Sequence, residues 1–187
     1  NYQENWIRPL LADPAVTLTL ESGMLDDLLR RLLRHQLDVV LANEAVPADP
    51  DRPLHCRFLG SQDISLVGPA AAWRGRTLRI PEDLGGQELA VPGSRHALRG
   101  QFDALCVAAG VSPRLRAEVD DMAMLRLVAR DSGWLTVLPE IVVQDELRAG
   151  VLVTIGRSTQ LKENFYAITT LHRHRMERLE QLLAQQP

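Results

Sequence analysis

Cysteine is scarce in this sequence: Cys56 and Cys106 stand alone among 187 residues, far apart and in no metal-ligand spacing. That leaves no disulfide framework and no zinc cluster to build on, and two reduced thiols in a cytosolic protein is the reading that follows. Long apolar runs are missing as well. No stretch of about 18 apolar residues occurs, so no membrane-spanning helix is expected. Asn1 to Arg8 carry both signs of charge and no apolar segment of a secretory signal. Strong net charge is the third absence. The formal charge is −3, with arginines interleaved among Asp and Glu, whereas a chain that grips DNA by itself usually carries a positive excess. This stretch alone is therefore not expected to hold DNA tightly.

Signatures of catalysis are lacking too. The sequence contains no G-x-S-x-G, no phosphate loop and no H-E-x-x-H, and neither cysteine has a convincing paired histidine. Binding is expected rather than turnover, with no cofactor and no metal. What remains is an ordinary globular composition, 45% hydrophobic and 24% charged, enough for a real core and against disorder. The length suits one domain or two small lobes sharing a cleft.

Periodicity predicts an alternation of strands and helices. Trp6 to Leu11 reads as a short helix stopped by Asp13-Pro14, and Val16 to Leu20 as an alternating, β-branched strand. From Met24 to about Gln36, leucines at three- and four-residue steps (Leu25, Leu28, Leu29, Leu32, Leu33) make the clearest helix, with Arg30, Arg31 and Arg34 on its wet side. Leu37 to Leu41 follows as a strand buried on both faces, which completes a parallel crossover unit. Pro47 to Pro53 is a loop. Leu54 to Val67 reads as two strands meeting near Gly60-Ser61, and Gly68 to Arg76 as a hinge.

A second alternation begins at Glu88. Strands are predicted at Glu88 to Val91, Arg114 to Val119 and Trp134 to Leu138, and helices at about Ser94 to Ala109, Met122 to Arg130 and from Pro139. Val151 to Ile155 and Phe165 to Thr170 read as strands flanking a polar link, and Met176 to Leu183 as a terminal helix. The expected fold is α/β with two Rossmann-like lobes. Residues 1–67 and 155–187 would form a discontinuous first lobe, and 68–154 a second.

Three strand-to-helix turns are the candidate chemistry: Leu20-Glu21-Ser22-Gly23, Val91-Pro92-Gly93-Ser94-Arg95 and Val119-Asp120-Asp121-Met122. Such turns gather at the carboxyl edge of a parallel sheet, where ligands bind, and the N–H groups of a helix start suit an anion or a carbonyl oxygen. Ser22, Ser94 and Asp121 can each cap a helix, and capping alone is the plain alternative for each. Arg95 can counter an anion or simply sit in solvent. Met122, Leu138 and Phe165 can floor a pocket or pack the core. His172-Arg173-His174 reads as a solvated basic patch rather than a metal site. His35 suits a helix carboxyl end, while His55 and His96 have no nameable partner.

At this point the residues resemble a known family. Val16 to Gly23, the leucine helix and Gln36-Leu37-Asp38-Val39-Val40-Leu41 are similar to the first lobe of LysR-type effector domains. The second half matches as well, through Pro92-Gly93-Ser94, Val111-Ser112-Pro113, Glu118 to Met122, Gly133 to Pro139 and Glu146 to Leu152. Finer matches at His35 to Asp38, Asp120-Asp121, Thr154 to Arg157 and Phe165 to Ile168 resemble the NhaR-like branch.

The resemblance implies a periplasmic-binding-protein-like (type II) fold that senses a small molecule or ion between its lobes, in the cytoplasm, within a homodimer or tetramer. It implies cleft contacts at Ser22, Asn43, Ser94, Arg95, Asp121, Met122, Leu138 and Phe165. A cation effector would use Asp120, Asp121, Glu44 and Asn43; an anion would use Ser94, Arg95 and the helix starts. The family's winged helix-turn-helix, linker helix and first effector-domain strand do not occur in this sequence, so DNA contact is expected through a part lying outside it. A solute-binding protein of a transport system is the alternative, and an enzyme on the same scaffold a third reading.

Overall fold

The computed structural model describes residues 7–14 and 16–170. These fall into two compact units, one of residues 7–60 and 164–170, the other of 61–163. The expected terminal helix and the His172-Arg173-His174 patch lie outside the described residues, as does Trp6.

The first unit contains α1 (Arg8–Leu11), α2 (Leu25–Leu33), β1 (Val40–Ala42), the start of β2 (Leu54–Pro69) and the end of β6 (Leu152–Thr170). The leucine periodicity of α2 buries Leu29 and Leu32 against Val40, Ala42 and Ile168, while Arg31 turns outward to Glu21 at 2.7 Å. β1 runs antiparallel to β6, with Val40 opposite Ile168 and Ala42 opposite Tyr166. Leu59, Phe165 and Ala167 form a separate small cluster with Val39 and Leu41.

α2 ends in a two-bond closure. His35 N–H donates to the Leu32 carbonyl and Gln36 N–H to that of Arg31, each at 3.0 Å, and His35 takes φ 57° between them. This is a Schellman ending, in which glycine normally fills the left-handed position because it has no Cβ to clash.

The second unit is a doubly covered sheet. β5 (Leu135–Pro139) pairs antiparallel with β2, from Ile64–Pro139 to Val67–Thr136. β5 lies parallel to β3 (Glu88–Pro92), and β3 parallel to β4 (Arg114–Val119). Alternation sorts the side chains onto two faces. On one, Leu89, Val91, Leu135 and Val137 pack with Leu98, Phe102 and Cys106 of α4 (Ala97–Ala108). On the other, Ala90 and Leu138 pack with Leu125 and Ala129 of α5 (Met122–Asp131) and with Val143. Short segments complete it: α3 (Ala70–Trp73), a 3-10 helix (Glu140–Val143) and α6 (Gln144–Arg148). Cys56 and Cys106 are both free, and burial pushes the Cys106 thiol up, helped by the nearby Asp103 charge. No helix among the described residues is long and apolar enough to cross a membrane.

The strand order is β1-β6-β2-β5-β3-β4. β2 and β6 each contribute residues to both units. This corrects the expectation of broken strands at two places, since Leu54–Pro69 is one strand rather than two meeting at Gly60-Ser61, and Leu152–Thr170 runs on through the supposed polar link. The reason is a change of surroundings. Residues 54–63 of β2 are mostly half-buried or exposed, whereas Ile64 to Val67 are buried on both faces, and that shift in pattern imitates a break. Val16 to Leu20 forms no strand. Alternation supplies a face but not a hydrogen-bonding partner, and the ladder of β1 is antiparallel to β6, so the first expected parallel crossover is not made.

Two expected outcomes follow. Leu138 is fully buried, so Leu138→Ala should cost about 2–5 kcal/mol in urea unfolding, while Val107→Ala, at a position 80% exposed, should stay within about 0.5 kcal/mol. His35→Gly should raise stability by about 0.5–1 kcal/mol, because relief of the left-handed strain outweighs the extra freedom of the unfolded chain. A lower urea midpoint for that variant would show His35 contributing more through its side chain than it costs in backbone.

Candidate functional site

Strand direction in the second unit decides where its helices begin. β3 and β4 finish together, with Pro92 opposite Val119, and β5 points the same way as β3. α4, α5 and the 3-10 helix therefore all start from one carboxyl edge. α4 and α5 leave that edge toward opposite faces of the sheet, the arrangement that opens a ligand crevice in doubly wound sheets.

The two corners interlock at Gly93. Its N–H donates to the Val119 carbonyl at 3.0 Å, and a Cβ there would overlap the Asp120 carboxylate. Glycine at 93 thus leaves room for the Asp120 carboxylate in this position. Arg95 then reaches across the same gap, its Nη2 donating to Asp120 Oδ2 at 2.7 Å, with both side chains about two-thirds exposed (66% and 63%). Asp121 Oδ1 accepts from Met124 N–H at 2.8 Å and caps α5. No acidic side chain occupies the first turn of α4, so the positive end of its dipole is not neutralised from within the helix.

The expected site residues take different places. In the second unit, Ser94, Arg95 and Asp121 are exposed at the corner, and Met122 is half-buried beside them, packing on both cores of that unit. Leu138 is fully buried in the core under α5. Ser22, Asn43 and Phe165 belong to the first unit: Ser22 is exposed, Asn43 half-buried just after β1, and Phe165 buried with Leu59 and Ala167. Of the three expected caps, only Asp121 caps. α2 starts after Met24 with no side-chain cap, so Ser22 lies too early. α4 starts after His96, which displaces Ser94 into the preceding turn.

His96 is the residue that sequence reasoning missed. Its Nδ1 accepts from Leu98 N–H at 3.2 Å, and its Nε2 lies 3.4 Å from Oε1 of the buried Glu163 on β6. Histidine is not among the usual capping residues, and Glu163 is remote in sequence, so no local signal pointed to either contact. Arg99, one turn on, is also nearly buried. It pairs with Asp103 at 2.9 Å and with Glu118 of β4 at 3.1 Å, and also donates to the Pro92 carbonyl at 3.4 Å. Glu118 and Asp103 raise its pKa, against burial. The Asp103 contact has four-residue helical spacing and was readable; the Glu118 contact depends on the register of β4 beside β3.

Among the described residues, no group of three or more His, Cys, Asp or Glu is placed to hold a metal ion. Comparison with known proteins gives the frame for this geometry. Residues 6–185 match the family model described as "LysR substrate binding domain". The transcriptional regulator MetR of Escherichia coli K12 is 26% identical over 168 residues, covering 89% of this chain and 50% of MetR. This chain thus spans about half the length of the curated relatives it matches. Among solved structures, the regulatory domain of HypT from Salmonella typhimurium superposes with a TM-score of 0.71 at 16% identity, over 96% of this chain and 86% of that one. Vibrio fischeri DarR in complex with DNA gives 0.76 at 17% identity, over 99% and 65%. These two likenesses establish the fold, that of LysR regulatory domains with their periplasmic-binding-protein-like (type II) architecture. By the family match over nearly its whole length, the chain belongs to the LysR substrate-binding domains, the effector-binding part of LysR-type transcription regulators.

Proposed function

We propose that this chain is the ligand-reading half of a longer cytoplasmic regulator, and that its effector presents a small anionic group to the corner formed by Ser94, Arg95 and the start of α5. The observation that carries this reading is Arg95, paired at the mouth of the corner with an exposed carboxylate, Asp120. Exposed pairs of this kind contribute only about 0–1 kcal/mol, so an incoming carboxylate or phosphate displaces Asp120 at little cost. It also gains the dipole of the α4 start, whose first turn carries no acidic residue.

A cation effector is the second reading. It would need oxygen ligands from Asp120 and Asp121, yet one of these holds Arg95 and the other caps α5. The names of the relatives, a helix-turn-helix regulator and a DarR–DNA complex, support a whole protein that contacts DNA through another domain; in this reading it works as a dimer or tetramer. The family assignment also favours a regulator over a transport component. Occupancy of the corner then acts on the DNA-binding part through differential affinity for two arrangements of the oligomer.

Thermal-shift titration at matched ionic strength tests the ligand class, since a ligand selective for the folded state raises its melting temperature. The panel comprises small mono- and dicarboxylates, phosphate, and the chlorides of sodium and lithium. At least one of the anions should raise the melting temperature in a saturable manner. Arg95→Ala should weaken that response about tenfold or more, by loss of a charge-assisted hydrogen bond. Asp121→Asn keeps the cap and should leave anion binding within about twofold. Stabilisation by sodium or lithium that survives Arg95→Ala and disappears in Asp121→Asn would reverse the assignment.

A further inference from the structure

The second unit holds a pocket of about 390 Å³ that includes none of the corner residues. Gln62 and Asp63 at the start of its β2 segment, Glu140 and Ile141 of the 3-10 helix, Leu147 of α6 and Arg157 of β6 line it. Its volume lies within the range of small-molecule sites.

The polar groups of the wall are unequally satisfied. Glu140 is fully engaged. Its Oε1 accepts from Ser65 Oγ at 2.9 Å, Thr154 Oγ1 at 3.0 Å and Arg157 Nε at 2.9 Å, and its Oε2 accepts from Arg157 Nη2 at 3.1 Å. Burial works against the charge of Glu140, but hydrogen bonds from Arg157, Ser65 and Thr154 outweigh it and hold the carboxyl below its ordinary range. Arg157 uses two of its five N–H donors on this carboxylate, and its side chain is 68% exposed. Asp63 is 67% exposed, held loosely by Lys162 at 3.7 Å and near enough to Arg157 for its charge to help raise the arginine pKa. Gln62 Oε1 is buried without a hydrogen-bond partner and lies behind the wall rather than open to a ligand.

Unused donors and unused acceptors thus line one small space, with Ile141 and Leu147 as an apolar strip. A plain amine would leave the outer face of Arg157 unanswered. A plain carboxylate would meet Asp63 and Glu140 as like charges. We propose that this pocket binds a small α-amino acid with a short apolar side chain: its ammonium group on Asp63, its carboxylate on Arg157, which it draws away from Glu140, and its side chain on Ile141 and Leu147. Glu140 competes with the ligand carboxylate for Arg157, so the pocket is tuned by an internal anion. The proposal goes beyond the Arg95 corner and stands independently of it.

Isothermal titration calorimetry on the Arg95→Ala chain, whose corner no longer offers its arginine to a carboxylate, tests this with L-norvaline and its two single-charge analogues, pentanoate and butylamine, at equal ionic strength. L-norvaline should bind saturably at one per chain, each analogue at least about tenfold more weakly. Arg157→Ala and Asp63→Asn should each weaken L-norvaline about tenfold or more. Glu140→Gln should strengthen it severalfold by releasing Arg157, whereas a merely structural role of the pair would make that variant bind worse. Urea midpoints confirm that each variant folds, and Arg157→Lys, which keeps the charge and loses the fork, replaces Arg157→Ala if needed and should also bind more weakly. No saturable binding of L-norvaline, equal binding of either analogue, or indifference to the Arg157 substitution would overturn the proposal.

Discussion

Because β3 and β4 end in register, with Pro92 opposite Val119, the turns that follow them compete for the same space, and glycine at position 93 resolves the competition. The Asp120 carboxylate lies where a side chain would begin. Everything at the candidate corner descends from that approach: Arg95 can span the gap to Asp120, α4 and α5 start side by side, and each departs to its own face of the sheet. A Cβ at 93 would push the Asp120 carboxylate out of its place, and the arginine would lose the partner that holds it across the gap.

The elements of the second unit were legible in the sequence because each carries its own signal. Leu89, Val91, Leu135 and Val137 alternate with residues that face α5, and the Leu98, Phe102 and Cys106 spacing belongs to a helix laid on that sheet. The Arg114–Val119 strand was placed to the residue. Where pairing rather than period decides, the reading failed. Val16 to Leu20 has the pattern of a strand and no ladder, while Leu54–Pro69 and Leu152–Thr170 are long strands whose pattern changes midway. A one-dimensional sequence records which faces are apolar; it does not record which edge meets which. At the site the same division holds. Asp121 before a helical run is a local signal and it caps, but Ser22 and Ser94 each lie two residues before the cap positions, Met24 and His96, which is within the usual margin of boundary reading.

α4 is anchored by more than its apolar stripe. Arg99, buried and bonded to Asp103, Glu118 and the Pro92 carbonyl, ties the first turn to β3 and β4, and His96 ties the helix start to Glu163. A buried guanidinium is tolerable only when its donors are matched, and here they bridge three elements. A helix start held this way offers its N–H groups from a fixed position, which is what makes a binding group selective rather than adaptable. The same contacts couple the corner to β6, the strand that also carries Thr154 and Arg157.

In both places where this unit can receive an anion, an arginine is already held by a carboxylate of the same unit, so binding is an exchange rather than an addition. What differs is the fate of the displaced group. Asp120 is exposed, and on losing Arg95 it simply returns to water, so the exchange at the corner is governed by the ligand. Glu140 is two-thirds withdrawn from solvent, yet the hydroxyls of Ser65 and Thr154 remain on its Oε1 when Arg157 turns away. Those two hydrogen bonds prevent the exchange from stranding a buried charge, the outcome that makes broken internal pairs so costly. They also restrain it: Glu140 stays in place as a waiting partner and recovers Arg157 when the ligand leaves. The sequence Ser65, Glu140, Thr154, Arg157 therefore describes a reversible contact, with two neutral donors carrying the carboxylate through the step in which its cation is elsewhere.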